Sequence, residues 1–268
     1  MANTVDVSVL SSSGMVSIVI PCCGMLEYTK LCVPSILRHS RPPFELIFLD
    51  VGSLDGTAEY LAGLQTGLAG RIRVEVVRTP TDLGLREACH EAFRQTLGEY
   101  VALLNNDTVV TNGWLNQLIG LVSFTEANGM AGPMSNMAAP PQLVETVPYR
   151  MFSSTGKSVG NPGGSLVDVA AVERFAESFR KENTKKWLHA ERLGGFCLLV
   201  KREVLDKIGP ALDPWTDLSL FDTDILSAKV RQVGYSLAVC RDLFVHHFGT
   251  RTFAHGAKSS TNSTPAAN

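Results

Sequence analysis

The stretch Tyr100-Val101-Ala102-Leu103-Leu104-Asn105-Asn106-Asp107-Thr108 decides the fold prediction, because a short apolar run ends abruptly in polar residues. Such a run is typical of a strand that is buried on both faces of a parallel sheet. Similar runs occupy 16–20, 45–49 and 71–77, and helical periodicity fills 26–38, 56–65 and 83–97. Pro34 in the first helical segment marks either a kink or the true start of that helix. The β-α-β-α-β-α-β order predicts an α/β fold with a mostly parallel, Rossmann-like sheet flanked by helices.

Polar residues that follow these apolar runs are the first candidates for a site, because ligands of such sheets bind outside the carboxyl ends of the strands. They are Pro21, Asp50, Asp82 in the turn 79–82, and the Asn105 to Asp107 turn. Acidic residues at three strand ends indicate a polar cleft that tolerates a cation. No GxGxxG motif follows the first run, which argues against a nicotinamide-dependent enzyme.

Asp107 is a candidate metal ligand. A hard divalent cation takes carboxylate oxygens, and a diphosphate needs its charge offset, so an Asp here can hold metal and phosphates together. Asn105 can hydrogen-bond a ribose, whereas an Asx turn before the next helix explains the same residues equally well.

Asp50 is either a ligand of a nucleobase or ribose, or a solvated strand-end carboxylate. Asp55 with Gly56 predicts a turn that starts a helix, which is a structural role.

Two carboxylates, Asp222 and Asp224, open a helical segment in the second half of the chain. The helix dipole stabilises acidic groups in a first turn, and this is a sufficient structural reason for them. The functional alternative is that one of them removes a proton from an acceptor hydroxyl, which requires hydrogen-bond reach of the attacking oxygen.

Two adjacent histidines, His246 and His247, follow the last apolar run. Strand alternation places one imidazole on each face, so one of them can face the cleft. An imidazole beside Asp107 and phosphate oxygens suits manganese better than calcium, and magnesium could serve as well. Arg251, a few residues further on, can balance phosphate charge.

The bulk composition excludes several classes of protein. The 268 residues carry a formal charge of -2, so the chain has no overall basic field that would favour nucleic acid or an anionic membrane as its main partner. Six scattered cysteines without a CxxC pair indicate a reducing cytoplasm. No apolar segment approaches the roughly 20 residues that span a bilayer, so we expect a soluble or at most peripheral protein.

Taken together, these stretches resemble the family 2 glycosyltransferases of the GT-A fold, from about Val16 to Phe253. The resemblance is carried by their order and spacing: Pro21, 50–57, Leu83-Gly84, Gly98-Glu99-Tyr100, 103–108, Gly194-Gly195-Phe196, 201–204, Asp222 with Asp224, Gly234-Tyr235 and His247. It implies an inverting transfer of a sugar from a nucleoside diphosphate of the UDP, dTDP or GDP type to a hydroxyl of a glycan or related acceptor, assisted by Mn²⁺ or Mg²⁺.

The resemblance also assigns roles to residues. Asp50 and Asp82 would contact the nucleoside, Asn105 and Asp107 stand at the acid-x-acid motif of the family, and Asp107 and His247 would hold the metal. Pro21, Asn106 and Arg251 join the donor site, and Asp222 is the expected base with Asp224 as the alternative.

The resemblance implies one GT-A type domain with an acceptor-side insert and flexible termini. The segments are a flexible N-terminus at 1–14, a nucleotide-sugar-binding half at 15–136, a variable acceptor-side insert at 137–190, an acceptor and catalytic half at 191–256 and a disordered tail at 257–268.

Two other functions stay open. A sugar-nucleotide nucleotidyltransferase would need a Gly- and Arg-rich loop after the first strand, where Pro21-Cys22-Cys23-Gly24 stands instead. A catalytically inactive module would keep the fold and bind a nucleotide or glycan.

Overall fold

A computed structural model describes residues 14–41, 43–79, 91–151, 166–209 and 223–249 of the chain. The strands are β1 Val16–Cys22, β2 Phe44–Val51, β3 Val74–Thr79, β4 Tyr100–Leu104, β5 Thr108–Val109, β6 Asn128–Met134, β7 Trp187–Ala190, β8 Cys197–Lys201, β9 Ser236–Phe244 and β10 His246–His247. The helices are α1 Leu26–His39, α2 Thr57–Gly67, α3 Trp114–Ser123, α4 Val169–Asn183, α5 Arg202–Ile208 and α6 Thr223–Gln232.

The central sheet has the strand order β3-β2-β1-β4-β8-β6-β9-β7. Strands β1 to β4, β6 and β9 run in one direction, whereas β7 and β8 are antiparallel to their neighbours. The predicted α/β fold with a mostly parallel sheet is therefore confirmed. Strands β5 and β10 form a separate antiparallel pair. Along the chain, β5 follows β4 and β10 follows β9.

Helices cover both faces of the sheet, and successive side chains of each central strand point to opposite faces. In β1, Ile18 and Ile20 pack into one apolar cluster with α1 and α3, around Cys32, Ile36 and Trp114. Val19 points the other way, into a second cluster with Val204 of α5 and Val230 of α6. Because β1 and β4 are buried along their whole length, their apolar runs carry little polar alternation.

Several predicted elements differ in extent from the observed ones. Strand β3 begins at Val74 rather than at residue 71. Helix α1 begins at Leu26 and continues past Pro34, so Pro34 does not mark its start. In the predicted helix 83–97, residues 91–94 are helical and 83–90 lie outside the described residues. The sequence did not predict β6, which contains two glycines and a proline. The predicted flexible N-terminus and disordered tail also lie outside the described part, apart from Gly14.

The segment predicted as an insert contributes α4 and the edge strand β7. Helix α4 begins where the Asp168 carboxylate accepts a hydrogen bond from the Ala171 N–H at 3.1 Å, a standard N-cap interaction. On α4, Glu173 accepts hydrogen bonds from Arg38 at 3.1 Å and pairs with the His39 imidazole at 2.9 Å. These contacts join α4 to the carboxyl end of α1.

A search of the described residues for a helix long and apolar enough to cross a bilayer finds none.

Candidate functional site

The turn after β4 carries Asp107 to the carboxyl edge of the sheet. The Asn105 N–H donates to the Phe196 carbonyl at 3.0 Å, so the turn is joined to the residue that precedes β8. The Thr108 hydroxyl donates back to the Asn105 carbonyl at 2.8 Å. These bonds hold the chain in a tight turn, and the Asp107 side chain is directed into the protein with 0% of its surface exposed.

The neighbouring Asn106 is also fully buried. Its amide donates to the Gly24 carbonyl at 3.2 Å and to the Thr29 hydroxyl at 2.9 Å. These contacts join the Asp107 turn to the loop after β1 and to α1. The predicted contact of Asn106 with the donor stays a prediction, whereas its observed bonds support the turn.

His247 lies beside Asp107 because β5 and β10 pair with His247 opposite Thr108. The His247 Nε2 atom is 3.4 Å from Asp107 Oδ1. The Nδ1 atom is 2.8 Å from the Met137 carbonyl oxygen, which can only accept, so Nδ1 carries the proton. In the neutral ring, Nε2 is then an unprotonated nitrogen directed at the carboxylate. The ring of Phe196 stacks on this imidazole, with centroids 5.3 Å apart and an angle of 18° between the planes.

Three buried polar atoms at this point have no hydrogen-bond partner among the described residues: Oδ1 and Oδ2 of Asp107 and Nε2 of His247. The distance of 3.4 Å between His247 Nε2 and Asp107 Oδ1 is longer than a good hydrogen bond. Buried polar groups without partners are rare and call for an explanation. A divalent cation that accepts both oxygen and nitrogen ligands fits this donor set, as Mn²⁺ does. A group of three or more His, Cys, Asp and Glu side chains that could hold a metal is not found in the described ranges.

The other histidine, His246, has different surroundings. It is fully buried, and its Nδ1 is 2.8 Å from the Tyr149 hydroxyl. Burial, with the adjacent His247 as a smaller cause, lowers the pKa of His246 to about 3. His246 is therefore neutral at pH 7 and links β10 to the segment around Tyr149, which belongs to the predicted insert.

Asp50 lies at the same edge, at the end of β2, in register with Cys22 of β1 and Arg78 of β3. Its Oδ1 accepts the Ser53 N–H at 3.1 Å, and its Oδ2 is 3.3 Å from Arg78 Nε. Although this contact is an ion pair by distance, Oδ2 makes no hydrogen bond of good geometry with any described residue. Like Asp107, Asp50 is a fully buried carboxylate at a strand end with an oxygen that a ligand could use.

Asp55 has the structural role that its sequence position predicts. One carboxylate oxygen accepts the Leu26 N–H at 2.9 Å, and the other accepts the Thr57 N–H and hydroxyl at 3.2 and 2.6 Å. Burial alone would raise the pKa of Asp55, but these hydrogen bonds outweigh it and the pKa is lowered. Asp55 thus fixes the starts of α1 and α2. A Cβ at Gly24 would lie 3.3 Å from the Asp55 carboxylate, so the loop after β1 passes close to it.

The remaining predicted residues are divided between described and undescribed parts of the chain. Pro21 is buried near the end of β1, opposite Leu49. Asp224 is exposed in the first turn of α6, with its Oδ2 3.6 Å from Arg192 Nη1. Asp82, Asp222 and Arg251 lie outside the described residues. None of these roles is tested by the contacts above, and all stay predictions.

Sequence reasoning missed Asn136 and Gln142, which bond the segment after β6 to the site. The Gln142 amide donates to the Pro133 carbonyl at 2.8 Å and accepts the Gly194 N–H at 2.7 Å. The Asn136 amide bonds the backbone of His247. Both residues lie in irregular chain rich in Pro, Met and Ala, where no periodicity distinguishes an inward side chain from an exposed one.

A cleft of about 1090 Å³ lies at the opposite edge of the sheet, near Tyr100 at the start of β4 and Lys201 at the end of β8. Its arginine, Arg202, donates to the Gly98 carbonyl at 3.0 Å and to the Thr96 hydroxyl at 2.8 Å. We assign the site to the Asp107 edge, because buried atoms of Asp50, Asp107 and His247 without a hydrogen-bond partner among the described residues lie there.

The fold defines the class of protein. The chain is similar to the structure of GalNAc-T7 with UDP, GalNAc and Mn²⁺, with a TM-score of 0.57 and 17% identity over 87% of this chain and 43% of the other. It is equally similar in fold to the mannosyltransferase PcManGT from Pyrobaculum calidifontis in complex with GDP-Man and Mn²⁺, with a TM-score of 0.57 and 16% identity over 88% and 57% of the two chains. The fold is therefore of the GT-A glycosyltransferase type.

The family follows from the sequence comparison. The model of Glycosyl transferase family 2 matches residues 17–209, and the chain belongs to this family. A relative, glycosyltransferase GlyG of Streptococcus pneumoniae serotype 4, is 25% identical over 124 residues, which are 46% of this chain and 40% of the relative. The chain thus spans less than two thirds of the length of each protein named here.

Proposed function

We propose that the chain transfers a sugar, with inversion, from a nucleoside diphosphate of the UDP, dTDP or GDP type to a hydroxyl of a glycan or related acceptor. The observation that carries the proposal is the buried Asp107 and His247 pair, whose unpartnered atoms converge at the carboxyl edge of the sheet. Family membership supports sugar transfer. The two GT-A structures named above, which contain UDP or GDP-Man with Mn²⁺, support a donor of this type.

In this proposal Asp107 and His247 hold Mn²⁺ or Mg²⁺. The carboxylate supplies oxygen, which both cations prefer, and the imidazole supplies an unprotonated nitrogen, which favours Mn²⁺. The bound cation would offset the negative charge of the diphosphate leaving group. Asp107 and His247 would supply these two ligands from the carboxyl edge of the sheet, where the proposed donor site also lies.

The nucleoside would lie along the same edge, towards β1 and β2. Asp50 supports this placement because it is buried at the end of β2 and its Oδ2 lacks a good hydrogen bond within the described residues. Asn105 would hydrogen-bond the ribose, and Pro21 would belong to the same donor site. Asp82 and Arg251 complete the proposed donor site from sequence position alone.

Asp222 is the proposed base, with Asp224 as the alternative. The acceptor oxygen forms a bond to the anomeric carbon on the face opposite the diphosphate, its proton passes to the carboxylate, and the nucleoside diphosphate leaves with the electrons of the broken bond. The position of α6 supports this assignment, because the Leu193 N–H donates to Ser227 of α6 at 3.3 Å. Leu193 precedes the turn that carries Phe196, and Phe196 stacks on His247.

The insert at 137–190 would shape the acceptor site. Two contacts join part of this segment to His246 and to the proposed metal ligand His247. The Met137 carbonyl accepts from His247 at 2.8 Å, and the Tyr149 hydroxyl is 2.8 Å from Nδ1 of His246. An acceptor bound against this segment would therefore approach the donor from the side opposite to β1 and β2.

The cysteines favour a cytoplasmic enzyme. Those in the described residues, Cys22, Cys23, Cys32, Cys197 and Cys240, are free thiols. Burial raises the pKa of Cys32 to about 12, so this thiol is not ionised at pH 7. Such cysteines pack as small apolar groups and need no oxidising compartment.

The metal and donor assignment is tested by thermal stability with Mn²⁺ and a panel of UDP-, dTDP- and GDP-sugars. A ligand that binds only the native state raises the melting temperature, so one class of donor should do so in a Mn²⁺-dependent way. Asp107→Ala should lose that shift, whereas His247→Ala should keep it but need a higher concentration of Mn²⁺. His246→Ala is the matched control: it should lower the melting temperature but keep the response to Mn²⁺. An unchanged Mn²⁺ response in Asp107→Ala would refute the assignment.

Turnover distinguishes an enzyme from an inactive binding module. A general base contributes typically about 10²- to 10⁴-fold to rate, so Asp222→Asn should lower turnover by that factor with little change in donor affinity. If Asp224→Asn loses the activity instead, the two roles are exchanged. If both variants keep full turnover, neither carboxylate is the base. Donor binding without any transfer or hydrolysis by the wild-type protein would favour the inactive module.

A further inference from the structure

The side chain of Asn136 makes a paired contact with the backbone of His247. The Asn136 Nδ2 donates to the His247 carbonyl at 2.9 Å, and the His247 N–H donates to Asn136 Oδ1 at 3.0 Å. The primary amide thus forms the two hydrogen bonds that a residue of a neighbouring strand would form. Since both bonds go to one residue, they fix the plane of the peptide groups on either side of the His247 Cα atom.

The residue after Asn136 fixes the imidazole ring itself. The Met137 carbonyl accepts the Nδ1 proton of His247 at 2.8 Å, and this bond selects the tautomer whose Nε2 is free to bind a cation. Phe196 stacks on the ring. On the other side of β10, Thr108 of β5 pairs with the His247 backbone. The imidazole is therefore restrained in position, in tilt and in protonation site, with Nε2 3.4 Å from Asp107 Oδ1.

A purely structural role explains part of this arrangement. His247 is only 7% exposed, and its buried N–H and carbonyl groups need partners whatever the side chain does. That need does not explain why the Met137 carbonyl accepts the Nδ1 proton, so that Nε2 faces the Asp107 carboxylate, whose oxygens have no hydrogen-bond partner among the described residues. The combination is expected if the segment 136–137 holds a ligand in place before the cation arrives.

We propose that Asn136 is a positioning residue for the metal-binding imidazole: it holds the His247 backbone and thereby the location of Nε2 relative to Asp107. This inference rests on the proposed function, because it requires that His247 binds a divalent cation. Groups that orient a metal ligand typically contribute about 10- to 100-fold to metal affinity. Asn136→Ala should therefore weaken the binding of Mn²⁺ by about that factor, although Asn136 does not itself touch the cation.

The experiment measures the dissociation constant of Mn²⁺ for the full chain from the melting temperature over a Mn²⁺ titration, with UDP and, in parallel, with GDP. The matched control is Asn128→Ala at the other end of β6. Asn128 is a buried asparagine, whereas Asn136 is partly buried, and the Asn128 amide also donates to a backbone carbonyl, that of Leu121 at 2.9 Å. Both substitutions should lower stability, but only Asn136→Ala should change the Mn²⁺ dissociation constant.

A double-mutant cycle identifies the route of the effect. If Asn136 acts through His247, Asn136→Ala should change Mn²⁺ affinity less than about twofold when His247→Ala is already present. An equal loss in both backgrounds would mean general loosening of the fold and would overturn the proposal. Asn136→Gln keeps both hydrogen-bonding groups on a longer side chain, so it provides a folded variant if Asn136→Ala does not fold. It should weaken Mn²⁺ binding because it displaces the His247 backbone.

Failure of this inference is distinguishable from failure of the proposed function. If the wild type binds Mn²⁺ in a way that Asp107→Ala abolishes, and the folded Asn136 variants bind it as tightly as the wild type, only the positioning role is wrong. If the wild type shows no response to Mn²⁺ with either nucleotide, the metal assignment is wrong, and the positioning role is refuted with it.

Discussion

Replacing Asp107 by asparagine should stabilise the protein in the absence of metal. The wild-type carboxylate is completely buried, and neither oxygen has a hydrogen-bond partner in the described part of the chain. The Nε2 atom of His247 lies 3.4 Å from Oδ1, which is longer than a good hydrogen bond. An asparagine amide at this position is neutral, and its N–H can donate to Nε2. The substitution therefore removes a buried charge and gives two unpartnered groups a hydrogen bond.

The expected gain follows from these two effects. A hydrogen bond contributes about 1 kcal/mol net, and removing an uncompensated buried charge contributes at least as much. We expect a total gain of about 1–2 kcal/mol, which for a chain of this size raises the melting temperature by roughly 2–8 °C. The same substitution removes the anionic metal ligand, so the order of stability should reverse when Mn²⁺ and the donor nucleotide are added.

Calorimetry of the wild type and Asp107→Asn, first with EDTA and then with Mn²⁺ and nucleotide, measures both effects. Asp242→Asn is the matched control, because the Asp242 carboxylate accepts from Gln117 at 3.1 Å and from the Lys185 N–H at 2.7 Å. There the substitution breaks a satisfied contact and should destabilise. If Asp107→Asn is less stable than the wild type with EDTA, the carboxylate is already satisfied without metal, and the reasoning for the site is wrong.

Two further predictions concern stability away from the site. Burial raises the pKa of Glu173, but hydrogen bonds from His39 and Arg38 outweigh it and hold the pKa below its ordinary value of 4.5. The stabilisation is therefore present above pH 4.5 and lost as the pH falls through the lowered pKa, so Glu173→Gln should cost about 1 kcal/mol or less at pH 7. Urea unfolding at both ends of this range tests it, and an equal cost at pH 7 and pH 3 would contradict it. Gly98→Ala places a Cβ 2.6 Å from the Ser17 nitrogen and 2.8 Å from two backbone oxygens, and should cost at least about 2 kcal/mol in urea unfolding. Gly63→Ala in α2, where nothing lies within 4 Å, should instead be neutral or stabilising, and equal costs would refute the clash.

The sequence predicts well those parts of the fold in which the buried residues form an apolar run or an apolar helix side. Strands β1, β2 and β4 are mostly apolar runs, and α4 has one apolar side. Strand β6 was missed because Gly129, Gly132 and Pro133 are typical of turns. The structure explains the glycines by close contact: a Cβ at Gly129 would lie 2.6 Å from Tyr235, and one at Gly132 would lie 2.8 Å from Gln142. A single sequence does not reveal such contacts, because they depend on residues far along the chain.

In the candidate site, too, some residues could be predicted from the sequence and others could not. Position after an apolar run was enough to select Asp50 and Asp107, since strand ends meet at one edge. The approach of His247 to Asp107 depends on β5 and β10, which have two residues each and are too short to show a period. The family resemblance supplied that pairing. Asn136 was not predicted, because an amide that bonds the backbone leaves no pattern in its own neighbourhood.

The reversed direction of β8 has a consequence for protein engineering. Since β8 is antiparallel to β4, with Cys197 opposite Leu104, the amino end of β8 lies at the Asp107 edge and its carboxyl end lies at the opposite edge. Loop grafts meant to alter acceptor choice therefore belong ahead of Cys197, within 137–196. Tags, linkers or fused domains are better joined to exposed positions after Lys201, such as Glu203 on α5, where an added chain would project away from the candidate site.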